Sequence, residues 1–202
     1  MATQAREALF VLLSEAEAEE ALDDVLSERG FERTARQPPR RRGSVARSEA
    51  RFFAVDQLQP ELTLVREWTG YKDVTTWGAA LELAEGLPPA ARMEMALPPA
   101  LSVLARALSR RTTVLGFATR DEPWHLVGVA FRGGRAVDAI TAIKDRVVIG
   151  PAGKPRESTP QRARMHLDQW LAPYSVDSVA MEIVFGDRDL PASWRIAYVL
   201  GS

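Results

Sequence analysis

Apolar and polar positions are most regularly organised between residues 112 and 149, where short runs of β-branched and apolar residues are separated by strong turn signals. In the central run, Trp124, Leu126, Gly128 and Ala130 fall on one side and His125, Val127, Val129 and Phe131 on the other. Both sides are largely apolar, so this run is expected to be a central strand covered on both faces. Gly133 and Gly134 separate it from the next strand-length run, and a Gly-Gly pair tolerates the positive φ of a tight hairpin turn. The pattern predicts an antiparallel meander over 112–149.

The flanking segments carry their own punctuation. Residues 8–13 are continuously apolar, as in a strand buried on both faces, and Ser14 with Glu17 three residues later is a capping-box signature. Ala18, Ala21, Leu22 and Val25 then follow helical spacing up to Gly30, a residue suited to ending a helix. Residues 51–55 and 61–68 read as two strands turning around Gln59-Pro60, giving a β-α-β-β layer that resembles half of a ferredoxin-like arrangement. A helix is expected over 77–85, and Pro98-Pro99 opens another whose Leu97, Leu101, Leu104 and Leu108 form one stripe. Thr159-Pro160 starts a further helix with Ala163, Leu167, Trp170 and Leu171 on its apolar face. Strands over 179–185 and 194–200 close the chain, the last with a more exposed face. The fold class is α+β: a mainly antiparallel sheet, or two smaller sheets meeting near residue 90, with helices packed on one side. It forms either one continuous domain or two subdomains, 1–90 with a basic loop at 33–51, and 91–202.

Composition narrows the function classes. With 202 residues, 46% of them apolar, the chain can bury a sizeable core without staples, and it contains no cysteine for disulfides, thiolate sites or nucleophiles. The formal net charge of −1 gives no global attraction to nucleic acid or membrane. No apolar run approaches the roughly 20 residues of a membrane span, and the N-terminal apolar run lacks a basic start, so a cytoplasmic location without membrane association is expected. Only Lys72, Lys144 and Lys154 are lysines among 26 basic residues, which suggests a GC-rich bacterial coding bias.

Charge is nonetheless segregated. The first helix carries seven acids between Glu15 and Glu28 and no basic residue. Residues 33–51 then hold seven arginines against Glu49 alone, with Pro38-Pro39 in the middle, and read as an exposed loop. Arg40, Arg41 and Arg42 are candidates for contacting an acidic protein or phosphates, unless the loop folds back on the acidic helix. No aromatic is interleaved before Phe52, so the loop lacks a stacking platform for single-stranded nucleic acid. Trp68, Tyr71 and Trp77 cluster nearby and are candidate binding anchors, because large rings bury area at low entropic cost.

Catalytic signals are sparse. His125 and His166 are the two histidines, and Asp121, Asp168 and Glu182 are candidate acid-base partners. His166 and Asp168, two positions apart, do not share a helical face. Gly150-Pro-Ala-Gly153-Lys154 has Val148 where a phosphate loop requires glycine and Pro155 where it requires Ser or Thr. No metal or cofactor motif is found. These readings favour a non-catalytic bacterial protein that binds another protein, in the manner of cognate-toxin immunity proteins or assembly adaptors. The alternatives are an enzyme with dispersed histidine and carboxylate groups and a nucleic-acid accessory protein using the arginine loop.

Overall fold

The structure is a computed structural model that describes residues 5–72, 97–120, 125–143, 146–150, 156–176, 182 and 194–201. In chain order the elements are β1 (Ala5–Val11), α1 (Glu15–Ser27), β2 (Phe31–Thr34), β3 (Ala50–Gln59), β4 (Leu62–Glu67) and α2 (Pro99–Leu108). Strands β5 (Val114–Arg120), β6 (His125–Arg132), β7 (Arg135–Ile143), β8 (Arg146–Ile149) and β9 (Arg156–Glu157) follow. Helix α3 (Pro160–Leu171), a 3-10 turn (Ala172–Tyr174) and β10 (Ile196–Leu200) complete the order. The helix expected over 77–85 lies outside the described residues, as does the strand expected over 179–185 apart from Glu182.

All the described strands join one ten-stranded sheet in the order β2-β10-β3-β4-β1-β5-β6-β7-β8-β9. Each described pairing is antiparallel. Strand β1 sits inside it, bonded to β4 on one edge and to β5 on the other, so the N-terminal strands and the meander share one sheet. This position explains its continuous apolar run. Leu9 and Val11 enter one core layer while Ala8 and Phe10 enter the other.

Helices cover both faces of the sheet, which corrects the expectation of helices on one side. Leu22 and Leu26 of α1 and Leu101, Leu104 and Leu108 of α2 pack with Leu9, Phe53, Val127 and Phe131. Across the sheet, Ala163, Leu167, Trp170 and Leu171 of α3 pack with Phe10, Phe117, Leu126 and Ile140. A strand sandwiched in this way must be apolar at successive positions, and β6 is, with seven consecutive buried residues from His125 to Phe131.

Within the meander, the β6–β7 turn has positive φ at both Gly133 (59°) and Gly134 (76°), as its sequence predicts. Ser109, just past the end of α2, fixes the tip: its carbonyl accepts from Gly133 N at 2.8 Å and its hydroxyl from Gly134 N at 3.1 Å. The Ser14–Glu17 capping box at the start of α1 also forms.

Strand β10 differs from its sequence reading. It inserts between β2 and β3, so Ile196, Ala197 and Tyr198 are all buried, and no more exposed face remains over these residues. The N-terminal layer is therefore completed by the far end of the chain, which a local β-α-β-β reading does not contain. The sheet's two edges are the short strands β2, four residues, and β9, two residues; short edges limit unwanted strand pairing.

Candidate functional site

Strand β4 ends at Glu67 while its partner β3 continues to Ala50, and the unpaired end of β3 must find other hydrogen-bond partners. Trp68 N donates to Phe52 O at 2.9 Å, and Phe52 N donates to the Tyr71 hydroxyl at 3.0 Å. The phenol thus supplies the rung that β4 no longer provides. In turn the Tyr71 hydroxyl donates to Glu67 Oε1 at 3.1 Å. Arg51 grips the same carboxylate at two points, Nε to Oε1 and Nη2 to Oε2, each at 2.8 Å. Arg47 adds a third positive contact, its Nε 3.3 Å from Glu67 Oε1 and its guanidinium 4.8 Å from the Tyr71 ring centroid.

Because Arg51 and Glu67 are both buried, the network is governed by desolvation and pairing together. Burial alone would lower the Arg51 guanidinium, but the Glu67 carboxylate more than offsets it and the net shift is upward. Burial, reinforced by Glu67, raises the Tyr71 phenol, which stays protonated as the donor this geometry needs. Glu7 on β1 is raised as well, by burial first, with Arg47 opposing and Glu67 adding to the shift.

The network holds the returning end of the arginine segment against the sheet. Gly43 N donates to Gly70 O at 2.7 Å and Lys72 N to Val45 O at 3.0 Å. Val45 is buried with Phe52, Trp68, Tyr71 and Ala197 in a separate apolar cluster. Gly70 is required there, since a Cβ would stand 2.3 Å from the Trp68 ring. Residues 40–44 project from this base and are exposed, forming an arginine ledge.

The ledge does not fold back on the acidic helix. Glu19 and Asp23 of α1 pair with Arg33 on β2, both at 2.9 Å, and the Tyr198 hydroxyl donates to Asp23 at 2.5 Å. Arg111 pairs with Asp24 and lies 3.7 Å from Glu20, Arg110 lies 4.0 Å from Glu28, and Arg195 pairs with Glu15 at 3.2 Å. Among the seven arginines of 33–51, Arg33 serves α1 while Arg47 and Arg51 serve Glu67. Arg36, Arg40, Arg41 and Arg42 are exposed and make no ion pair among the described residues.

The other candidates are dispersed. Trp68 and Tyr71 are 8% and 4% exposed, so the expectation of surface anchors is corrected for both: their rings form the base that carries the ledge. Trp77 and Asp121 lie outside the described residues. His125 is buried at the start of β6, His166 is half-exposed and Asp168 exposed on α3, and Glu182 is exposed. No group of three or more His, Asp or Glu that could hold a metal ion occurs among the described residues. No helix among them is long and apolar enough to cross a membrane.

Sequence reasoning passed over Arg51 and Glu67 as partners. The available signal was positional: Arg51 lies in period-two register with Phe53 and Val55, and Glu67 with Val65, all on one face. A charge on the core side of each of two neighbouring strands calls for a mutual partner. Comparison with protein-family models, with curated proteins and with solved structures returned no match for this chain.

Proposed function

We propose that this chain is a non-catalytic protein-binding module that receives an acidic surface of a partner protein on its arginine ledge. The observation that carries the reading is the set of four exposed arginines, 36, 40, 41 and 42, which make no ion pair among the described residues while the acidic helix is served by Arg33, Arg110, Arg111 and Arg195. Like charges gathered on one segment repel one another, and an acidic partner relieves that repulsion as it steers association. The base is held by Tyr71, Trp68 and two backbone hydrogen bonds, which lowers the ordering cost on binding.

An acidic protein fits better than nucleic acid. The rings packed with Val45 at the base of the ledge, Phe52, Trp68 and Tyr71, are buried and offer no stacking face to bases. The overall charge of −1 also provides no broad positive field. A bacterial cytoplasmic immunity protein or assembly adaptor is the kind of protein that works in this way, and the arginine-rich coding bias supports a bacterial source.

Affinity capture from a bacterial lysate, with and without nuclease treatment, tests the proposal, using the intact chain and an R40S/R41S/R42S variant side by side. The expected result is a specific protein retained by the native chain and lost by the variant. Equal retention by both would overturn the role of the ledge, and retention that nuclease abolishes would favour the nucleic-acid reading.

A further inference from the structure

A groove crosses the opposite end of the sheet, on the α3 face. The registers of β4, β1, β5 and β6, continued by one residue past Val11 and Val114, bring Leu62, Leu12, Thr113 and Arg132 side by side, with Leu12 N donating to Thr113 O at 3.2 Å. Three strand spacings of about 4.8 Å separate Leu62 from Arg132 by roughly 14 Å. The turn after α3 contributes Tyr174 and Ser175, and the cavity encloses about 430 Å³, within the range of small-molecule sites.

We infer that this groove binds a small ligand carrying one carboxylate on an apolar body. Arg132 supplies the cation: its Nε donates to Thr113 Oγ1 at 3.1 Å, which orients the guanidinium, and among the described residues no acceptor takes Nη1 or Nη2. A planar fork fixed in this way suits a carboxylate better than a point charge does. The Tyr174 phenol, raised by burial and then by Asp138, remains a neutral donor beside Arg132. Ser175, the one non-glycine residue with positive φ (56°) among the described residues, adds a hydroxyl to the same wall. Leu12 and Leu62 form an apolar floor, which calls for an apolar body. Glu61 also lines the groove and disfavours further negative charge, so the chemistry selects a monocarboxylate.

The test titrates the full chain with a set of aryl and alkyl monocarboxylate fragments, each matched by its primary amide. Amide-resonance shifts of Leu12, Arg132 and Ser175 are read together with Trp170 fluorescence, since that ring lies 5.6 Å from Tyr174. The expected result is saturable shifts at the groove, with the acids binding about tenfold more tightly than the amides and R132Q abolishing the difference. Y174F keeps the ring and removes one donor, so a several-fold loss is expected from it even if R132Q perturbs the fold. Equal binding of acids and amides, unchanged acid preference in R132Q and Y174F, or no shift at the groove with any fragment would overturn the inference.

Discussion

Arg51 on β3 and Glu67 on β4 meet inside the protein through two parallel 2.8 Å hydrogen bonds, at the point where the ladder between their strands runs out. Each ion makes the burial of the other tolerable. The pair also gives Tyr71 and Arg47 a fixed charge to dock on, and so connects the sheet to the arginine segment.

Removing Glu67 should leave Arg51 a buried charge without its carboxylate, and removing Arg51 should leave the Glu67 carboxylate with only the Arg47 and Tyr71 contacts. R51A and E67A are each expected to cost about 3–5 kcal/mol, whereas the joint replacement R51M/E67L should cost far less. Urea denaturation of the three variants checks this, and single-variant losses below about 1 kcal/mol would show that the pair is not buried as described.

Tyr71 is expected to act through its hydroxyl. Y71F keeps the ring stacked near Phe52 but strips the acceptor from Phe52 N, which should cost about 1–3 kcal/mol. Hydrogen exchange at the Phe52 amide should accelerate in parallel, and unchanged protection there would mean that water or another group replaces the phenol.

Two carboxylates should give opposite pH signatures. The Glu7 pKa is raised in the fold above 4.5, so the unfolded chain ionises first as pH rises and this group lowers stability between 4.5 and its folded value. Glu17 is lowered by its hydrogen bonds with the Ser14 side chain and then backbone, so its contribution is present above 4.5 and lost as pH falls through its folded value. Stability curves of E7Q and E17Q, each subtracted from the native curve between pH 3 and about 7, should therefore slope in opposite directions. Slopes of the same sign would contradict one of the two assignments.

Local rules were enough to read much of the sheet from the sequence. Gly133-Gly134, the Ser14–Glu17 box and the leucine stripe of α2 each state their geometry within a few residues. What stayed hidden depends on partners distant in sequence. The insertion of β10 between β2 and β3 pairs Tyr198 with Arg33 and Arg51, and no periodicity at 194–200 announces it. The arginine segment was legible as charged and exposed. Its neutralisation pattern was not, because Arg33 finds Glu19 while Asp24 takes Arg111 from 87 positions away. Trp68 and Tyr71 looked like surface anchors because a loop composition surrounds them. Their burial follows from the early end of β4, a feature of sheet geometry rather than of composition.

The ledge arginines should matter little to folding. R40S/R41S/R42S is expected to change stability by no more than about 0.5 kcal/mol per site, since these side chains are exposed and make no ion pair among the described residues. A loss of several kcal/mol on thermal or chemical unfolding would show that the segment is part of the core.

The most direct test of the central claim is the association rate of the captured partner protein with the native chain and with R40S/R41S/R42S, measured across a range of salt concentrations. If the ledge steers an acidic surface, the native rate falls steeply as salt rises while dissociation changes little, and the variant associates slowly with almost no salt dependence. A variant that keeps the native rate and the native salt dependence would contradict the account.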